Sequence, residues 1–238
     1  MEQKLMNVGE GAKSATMAET AYNLLKADIL TCRLRPNAKL LIGPLTEEHG
    51  ISLSGVREAL SRLTAEGFVL AEPQKGYRVA PVSTSDLKYL TAARIDIENL
   101  CLVKSIDLGG VEWETAVVAT FHRLSRTPYW EENADGKKNL NREWSSAHSA
   151  FHEALVSGAN NPWLSWVRNT LYLRSERYRW LSVPLFDAER DVASEHKALS
   201  DACLARNVDL ATKLMGEHLN LTTKIILDGL DKAPNWGD

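Results

Sequence analysis

The stretch from Ser52 to Ala80, SLSGVREALSRLTAEGFVLAEPQKGYRVA, constrains the fold of this chain more than any other. Val56, Ala59, Leu60 and Leu63 repeat at i, i+3, i+4 and i+7, which makes one buried stripe of a helix. Arg57, Ser61 and Arg62 fall off that stripe. Ser52 or Ser54 can cap the helix, because a hydroxyl accepts from the unpaired N–H groups of a first turn. Gly67 stands where a left-handed C-terminal cap is wanted. Phe68, Val69 and Leu70 then read as a strand, Glu72 to Gly76 as a turn, and Tyr77 to Ala80 as the returning strand. Just upstream, Pro44 to His49 reads as a short helix stopped by Gly50. Each piece is common in α+β domains, but the ordered set of two helices, a tight turn and a hairpin is a winged helix-turn-helix. That shape fits the major groove of double-stranded DNA.

The rest of the composition bounds this reading. The 238 residues suit one large domain or two small ones, and 44% hydrophobic residues allow a sizeable core. The net charge is −3, with residues 17–82 nearly neutral and the remainder acidic. A nearly neutral DNA reader needs two copies, because phosphate contacts supply much of the affinity, so a homodimer is expected. Cys32, Cys101 and Cys203 are too widely spaced for a metal or disulfide pattern. No apolar run is long enough to span a membrane, and the first sixteen residues lack a signal-peptide core. A reducing cytoplasm is the expected setting.

A first helix is expected from about Ala18 to Thr31, with Tyr22, Leu25, Ile29 and Leu30 on its apolar face. Leu34 to Asn37 reads as a turn and Lys39 to Leu41 as a short strand. Pro81 to Ser85 reads as a connecting segment, with Ser83 or Ser85 capping the next helix. From Asp86 onward the pattern shows no strand. Breakers at 109–110, 133–139, 158–162, 182–184 and Asn207 divide it into about six helices. The intervals, roughly 16 to 23 residues, are long for average helices, and short connections between them argue an antiparallel bundle. The expected fold is mainly α, an N-terminal winged helix-turn-helix followed by an all-helical bundle. The expected division is a tail at 1–16, the DNA-binding domain at 17–82, a linker at 83–87, the effector domain at 88–230 and a tail at 231–238.

Four of the six histidines draw attention in the rear domain. His148 and His152 lie four apart and so share one helix face. His196 and His218 each sit in a separate expected helix. A bundle could bring these imidazoles together, and imidazole suits zinc, copper, nickel or iron; they could equally be core or surface histidines. A metalloprotease helix needs Glu directly after its first histidine, where this chain has Ser149. No nucleophile elbow, phosphate loop or dinucleotide fingerprint appears, which ranks a binding site above a catalytic one. Arg94 and Glu98, also four apart, form either a simple helix ion pair or, with Arg94 facing inward, a grip for a carboxylate. Arg174, Arg177 and Arg179, interleaved with Tyr172, Tyr178 and Trp180, read mostly as a solvated face whose aromatics pack inward.

With these motifs placed, residues 17 to 230 resemble the GntR family of transcription regulators, of the FadR type with an FCD effector domain. The matching residues in front are Val56 to Leu60, Leu63, Glu66, Gly67 and the wing Lys75, Gly76 and Tyr77. In the rear they are Arg94 with Glu98, Phe151 to Leu155, the turn at 158–161, Glu195 with His196, and His218 with Leu219. The segments EWSSAHSAFHEALVSG, ERYRWL and GYRVA look closest to the carbon-starvation-induced, glutarate-responsive repressor subgroup.

The resemblance implies a divalent metal held by one Asp and three His, with a small organic acid bound beside it. His152, His196 and His218 fall on the histidine positions, while the Asp position is His148 here. Either four histidines hold a softer ion, zinc or nickel, or the acid binds in a polar pocket without metal. Arg94, with Glu98, matches the region that anchors the ligand or the outer shell of the site. At the DNA end, Leu53 replaces a family arginine able to read guanine, and Gly43 stands where another arginine is frequent. Arg57 remains, with Ser52 and Ser54 as shorter contacts, Arg62 for a phosphate, and Lys75 and Gly76 for the minor groove. The expected function is a ligand-responsive transcriptional regulator, a repressor released by a small carboxylate. A metal-dependent enzyme acting on a small acid and a helical interaction module are the alternatives.

Overall fold

The computed structural model describes residues 16–132, 138–182 and 190–230. Both expected tails (Thr16 excepted), positions 133–137 of the expected loop, and Val183 and Pro184 lie outside the described residues. The chain forms two compact units, one ending at Ala80 and one beginning at Pro81, Leu30–Cys32 excepted.

The first unit contains α1 (Met17–Leu30), β1 (Lys39–Leu40), α2 (Ile42–His49), α3 (Leu53–Ala65), β2 (Val69–Glu72) and β3 (Gly76–Val79). α1 buries Ala21, Tyr22, Leu25 and Ile29. α2 starts two residues before Pro44, because a proline in a first turn removes only an N–H that has no helical partner. Ser52 is the cap of α3, its Oγ accepting from Gly55 N at 3.2 Å. The expected stripe of Val56, Ala59, Leu60 and Leu63 is fully buried. Gly67 has φ +74. Its N–H donates to Thr64 O at 3.0 Å and that of Phe68 to Leu63 O at 2.9 Å, which closes the helix and sends the chain into the hairpin. The antiparallel sheet has the order β1-β3-β2, with Val69 opposite Val79 and Glu72 opposite Gly76. β2 begins one residue later and ends two later than expected, and β3 lies one residue earlier, since Gln74 (φ +61) and Gly76 (φ +91) tighten the turn.

The second unit contains α4 (Thr84–Leu108), α5 (Val111–Arg126), β4 (Trp130–Glu132), β5 (Lys138–Leu140), α6 (Arg142–Ser157), α7 (Pro162–Ser182), α8 (Val192–Leu204) and α9 (Val208–Leu230). Two expectations change. Ser83 Oγ accepts from Asp86 N at 3.1 Å and α4 begins at Thr84, so Ser83 alone of the expected linker 83–87 lies outside the helix. The unit is also not all-helical, because β4 and β5 pair antiparallel with Trp130 opposite Leu140. Those strands have three residues each and no alternation to betray them. Tertiary packing holds them: Leu140 is buried, and Tyr129 meets Trp144 edge-on at 4.3 Å. Asn141, Asn161 and Asp191 cap α6, α7 and α8 by accepting from first-turn amides. The core is built around Leu102, Val117, Phe151, Leu155, Leu199 and Met215. No helix among the described residues is long and apolar enough to cross a membrane.

Candidate functional site

The core of the second unit is interrupted by four imidazoles. α6 contributes His148 and His152, α8 contributes His196 and α9 contributes His218, and all four are buried. One ligand atom from each lies within 4.8 Å of the others. His152 Nε2 and His196 Nε2 are 3.4 Å apart. Two nitrogens bound to one tetrahedral ion at about 2.0–2.1 Å would be separated by roughly 3.3–3.4 Å, so this spacing fits a shared metal. Burial, then the neighbouring imidazoles, holds His148 and His152 well below the usual histidine pKa. His196 is lowered in the same way, against an opposing pull from Glu195. His218 is lowered by burial, less so because Glu195 favours its charged form. At neutral pH the cluster therefore consists of uncharged imidazoles, the form that ligates metals. Glu195 Oε2 lies 2.7 Å from His218 Nδ1, and a proton there would leave Nε2 as the donor atom. Glu195 is itself gripped by both sides of the Arg190 guanidinium at 2.7 Å. Burial works against its charge, but Arg190 and His218 outweigh it and hold the carboxyl down to about 2.

A small cavity of about 50 Å³ opens beside the imidazoles, lined by His148, His218, Arg94, Arg179 and Arg190 among others. Arg94 donates to Glu98 at 3.2 Å and to Ser175 Oγ at 2.8 Å, and its guanidinium lies 4.9 Å from the centre of the Tyr172 ring. Glu98 is fully buried and does not line the cavity. It also accepts from Arg168 at 3.1 Å, and Arg168 is paired in turn with Glu153. Arg179 donates to Glu176 at 2.8 Å. The cavity wall thus carries three guanidiniums, and each is paired with a buried or partly buried carboxylate.

In the first unit, Ser52, Leu53, Ser54 and Arg57 are exposed along the start of α3, and Lys75 and Gly76 are exposed at the tip of the wing. Arg62 is half-buried, donates to Glu19 at 2.7 Å and stacks over Tyr22 at 3.9 Å. It is turned toward α1 and away from the other five.

Residues 17–79 match the family described as bacterial regulatory proteins, gntR family, and residues 89–221 match the FCD domain. The chain belongs to the GntR family, in the branch that carries an FCD domain. Among curated relatives, it is 36% identical over 209 residues to the HTH-type transcriptional repressor GlaR of Escherichia coli K12, covering 86% of this chain and 93% of that one. It is 35% identical over 215 residues to the uncharacterized HTH-type transcriptional regulator BphR of Paraburkholderia xenovorans LB400, covering 90% and 87%. The solved structure of E. coli McbR/YncC has the same fold, with a TM-score of 0.74 at 19% identity, covering 90% and 99%.

In this GntR-family regulator, the expected site residues divide into those that meet and those that do not. The four expected histidines meet at one point, and Arg94 faces the cavity beside them. Glu98 and Arg62 are directed elsewhere. Tyr172 and Tyr178 of α7 pack inward as expected, but Arg177 and Arg179 are buried as well, so the arginines do not form a solvated face. Arg179 and Arg190 were therefore missed as cavity groups. The only local hint was an acid at a pairing distance from each, Glu176 three residues before Arg179 and Glu195 five after Arg190. These curated relatives are transcription regulators.

Proposed function

We propose that this regulator is a repressor that leaves its operator when a small organic acid binds between Arg94 and the histidine cluster. The observation that carries the proposal is the set of four buried, uncharged imidazoles next to a cavity faced by three arginines. His148, His152, His196 and His218 would hold a divalent ion, with zinc or nickel preferred by an all-imidazole donor set. When bound, the ion supplies a positive centre to which a carboxylate oxygen can coordinate. Arg94 supplies a fixed donor for the same group, and Glu98, behind it, keeps the guanidinium in place. The effector is a short mono- or dicarboxylate, and the subgroup resemblance favours a glutarate-like acid. Acid binding then favours one conformational population over another, which is how a ligand releases DNA.

On the DNA side, Ser52, Ser54 and Arg57 contact the major groove, and Lys75 and Gly76 the minor groove beside the wing. A homodimer presents two reading helices to a near-palindromic operator. Trp163 and Trp166, 78% and 64% exposed on the first turns of α7, support a self-association face, because a lone copy leaves both rings in water. Thermal-shift screening of organic acids, with and without chelator, tests the effector site. Ligand stabilisation should be lost in both Arg94→Ala and His196→Ala, and its survival in both refutes the pocket. Gel shifts on the DNA upstream of the coding sequence test the rest, with acid-dependent release expected.

A further inference from the structure

We infer that the effector site has a second, apolar compartment, able to take the apolar or aromatic tail of a longer acid. This rests on the reading of the inner cavity as the carboxylate site. The inner cavity, about 50 Å³, has room for little more than a charged head group. Liquid water occupies about 30 Å³ per molecule, and small-molecule sites begin near ~300 Å³. A second cleft of about 330 Å³ lies against it. The two share Tyr129, Trp144, Arg190 and Val192 in their walls, and His196 of the cluster also faces the outer cleft. Trp144 belongs to both walls, its ring stacked on His148 at 4.8 Å and 24°.

The outer walls suit an apolar occupant. Phe121 and Leu124 of α5 and Trp130 of β4 face the cleft beside Trp144 and Val192. The hairpin that sequence patterning does not reveal is what brings Trp130 there, through its pairing with the buried Leu140. The charged groups of the wall are engaged locally. Asp191 accepts from Ser194 N and Oγ as the cap of α8, and Arg190 is held by Glu195. Aromatic faces therefore line the cleft, with a guanidinium and the imidazoles where it meets the inner cavity. An acid with its carboxylate in the inner cavity and a ring or alkyl chain in the cleft satisfies both compartments.

Isothermal titration of the full chain with acetate, butyrate, 4-phenylbutyrate and glutarate tests this. 4-Phenylbutyrate should bind at least about tenfold tighter than butyrate, as burial of a phenyl group predicts. Ala193 and Ser125 are exposed residues of the cleft wall, so Ala193→Trp and Ser125→Trp should fill the cleft without touching the core. Each should bring 4-phenylbutyrate down to the affinity of butyrate while leaving acetate, which needs only the inner cavity, within about twofold. No gain from the phenyl group, or a gain that survives both fillings, overturns the inference and leaves the inner carboxylate site standing. If none of the four acids binds, the reading of the inner cavity falls and the second compartment falls with it.

Discussion

Glu98 shows what a single carboxylate does in this molecule. It is fully buried and accepts from Arg94 of its own helix and Arg168 of α7. Removing it leaves the Arg94 guanidinium without its carboxylate in the interior, and Arg168 with Glu153 alone. Glu98→Ala should therefore cost about 3–5 kcal/mol of stability in urea unfolding. Glu98→Gln keeps the shape and should cost less, while still loosening Arg94 and weakening acid binding. The reading head offers a contrast between two arginines. Arg57 is exposed on α3, whereas Arg62 is tied to Glu19 and Tyr22. Arg57→Ala should abolish specific gel shifts without lowering the melting temperature. Arg62→Ala should lower the melting temperature and leave the salt dependence of DNA binding nearly unchanged, because a true phosphate contact contributes about one unit of salt slope. The exposure of Arg57 was legible from the heptad-like stripe opposite it. The fate of Arg62 was not, because it depends on α1, which lies some forty residues earlier in the chain.

Single elements are closed by local chemistry and joined by small polar clusters. Gly50 ends α2 at φ +62 with its N–H on Thr46 O, and a Cβ there would meet no atom within 4 Å. Gly50→Ala should therefore cost only the backbone term, about 1–2 kcal/mol, in thermal unfolding. Glu66 at the end of α3 accepts from Tyr22 OH at 2.6 Å and Lys26 Nζ at 2.7 Å on α1. Burial raises its pKa, but these two bonds more than offset that, and the carboxyl sits below its usual 4.5. A carboxyl lowered on folding stabilises the fold above 4.5, and that contribution is lost as pH falls through the folded value. Urea midpoints measured from pH 6 to pH 3 should therefore fall less steeply in Glu66→Gln than in the parent. The winged head was legible in the sequence because its signals are local: a cap, a stripe, a glycine and a hairpin. The β4–β5 hairpin was not, since tertiary packing holds it and three-residue strands carry no period.

Across the whole molecule, the site is a meeting of residues distant in sequence. The spacing of His148 and His152 was visible as one helix face, but periodicity could not say that His196 and His218 join them; family resemblance supplied that. Arg179 and Arg190 were illegible because a nearby acid, the one local hint, marks a surface ion pair as readily as a buried one. If the four imidazoles hold an ion, dialysis against a strong chelator should lower the melting temperature by several degrees, and zinc or nickel should restore it. His196→Ala should melt at the same temperature with and without chelator. The donors are spread over α6, α8 and α9, and the three cysteines are unpaired thiols. An ion held there would act as a cross-link, closing two long covalent loops and narrowing the unfolded ensemble as a disulfide does. Such a staple tolerates reductant, and it can be withdrawn by competition for metal where a disulfide would need an electron donor.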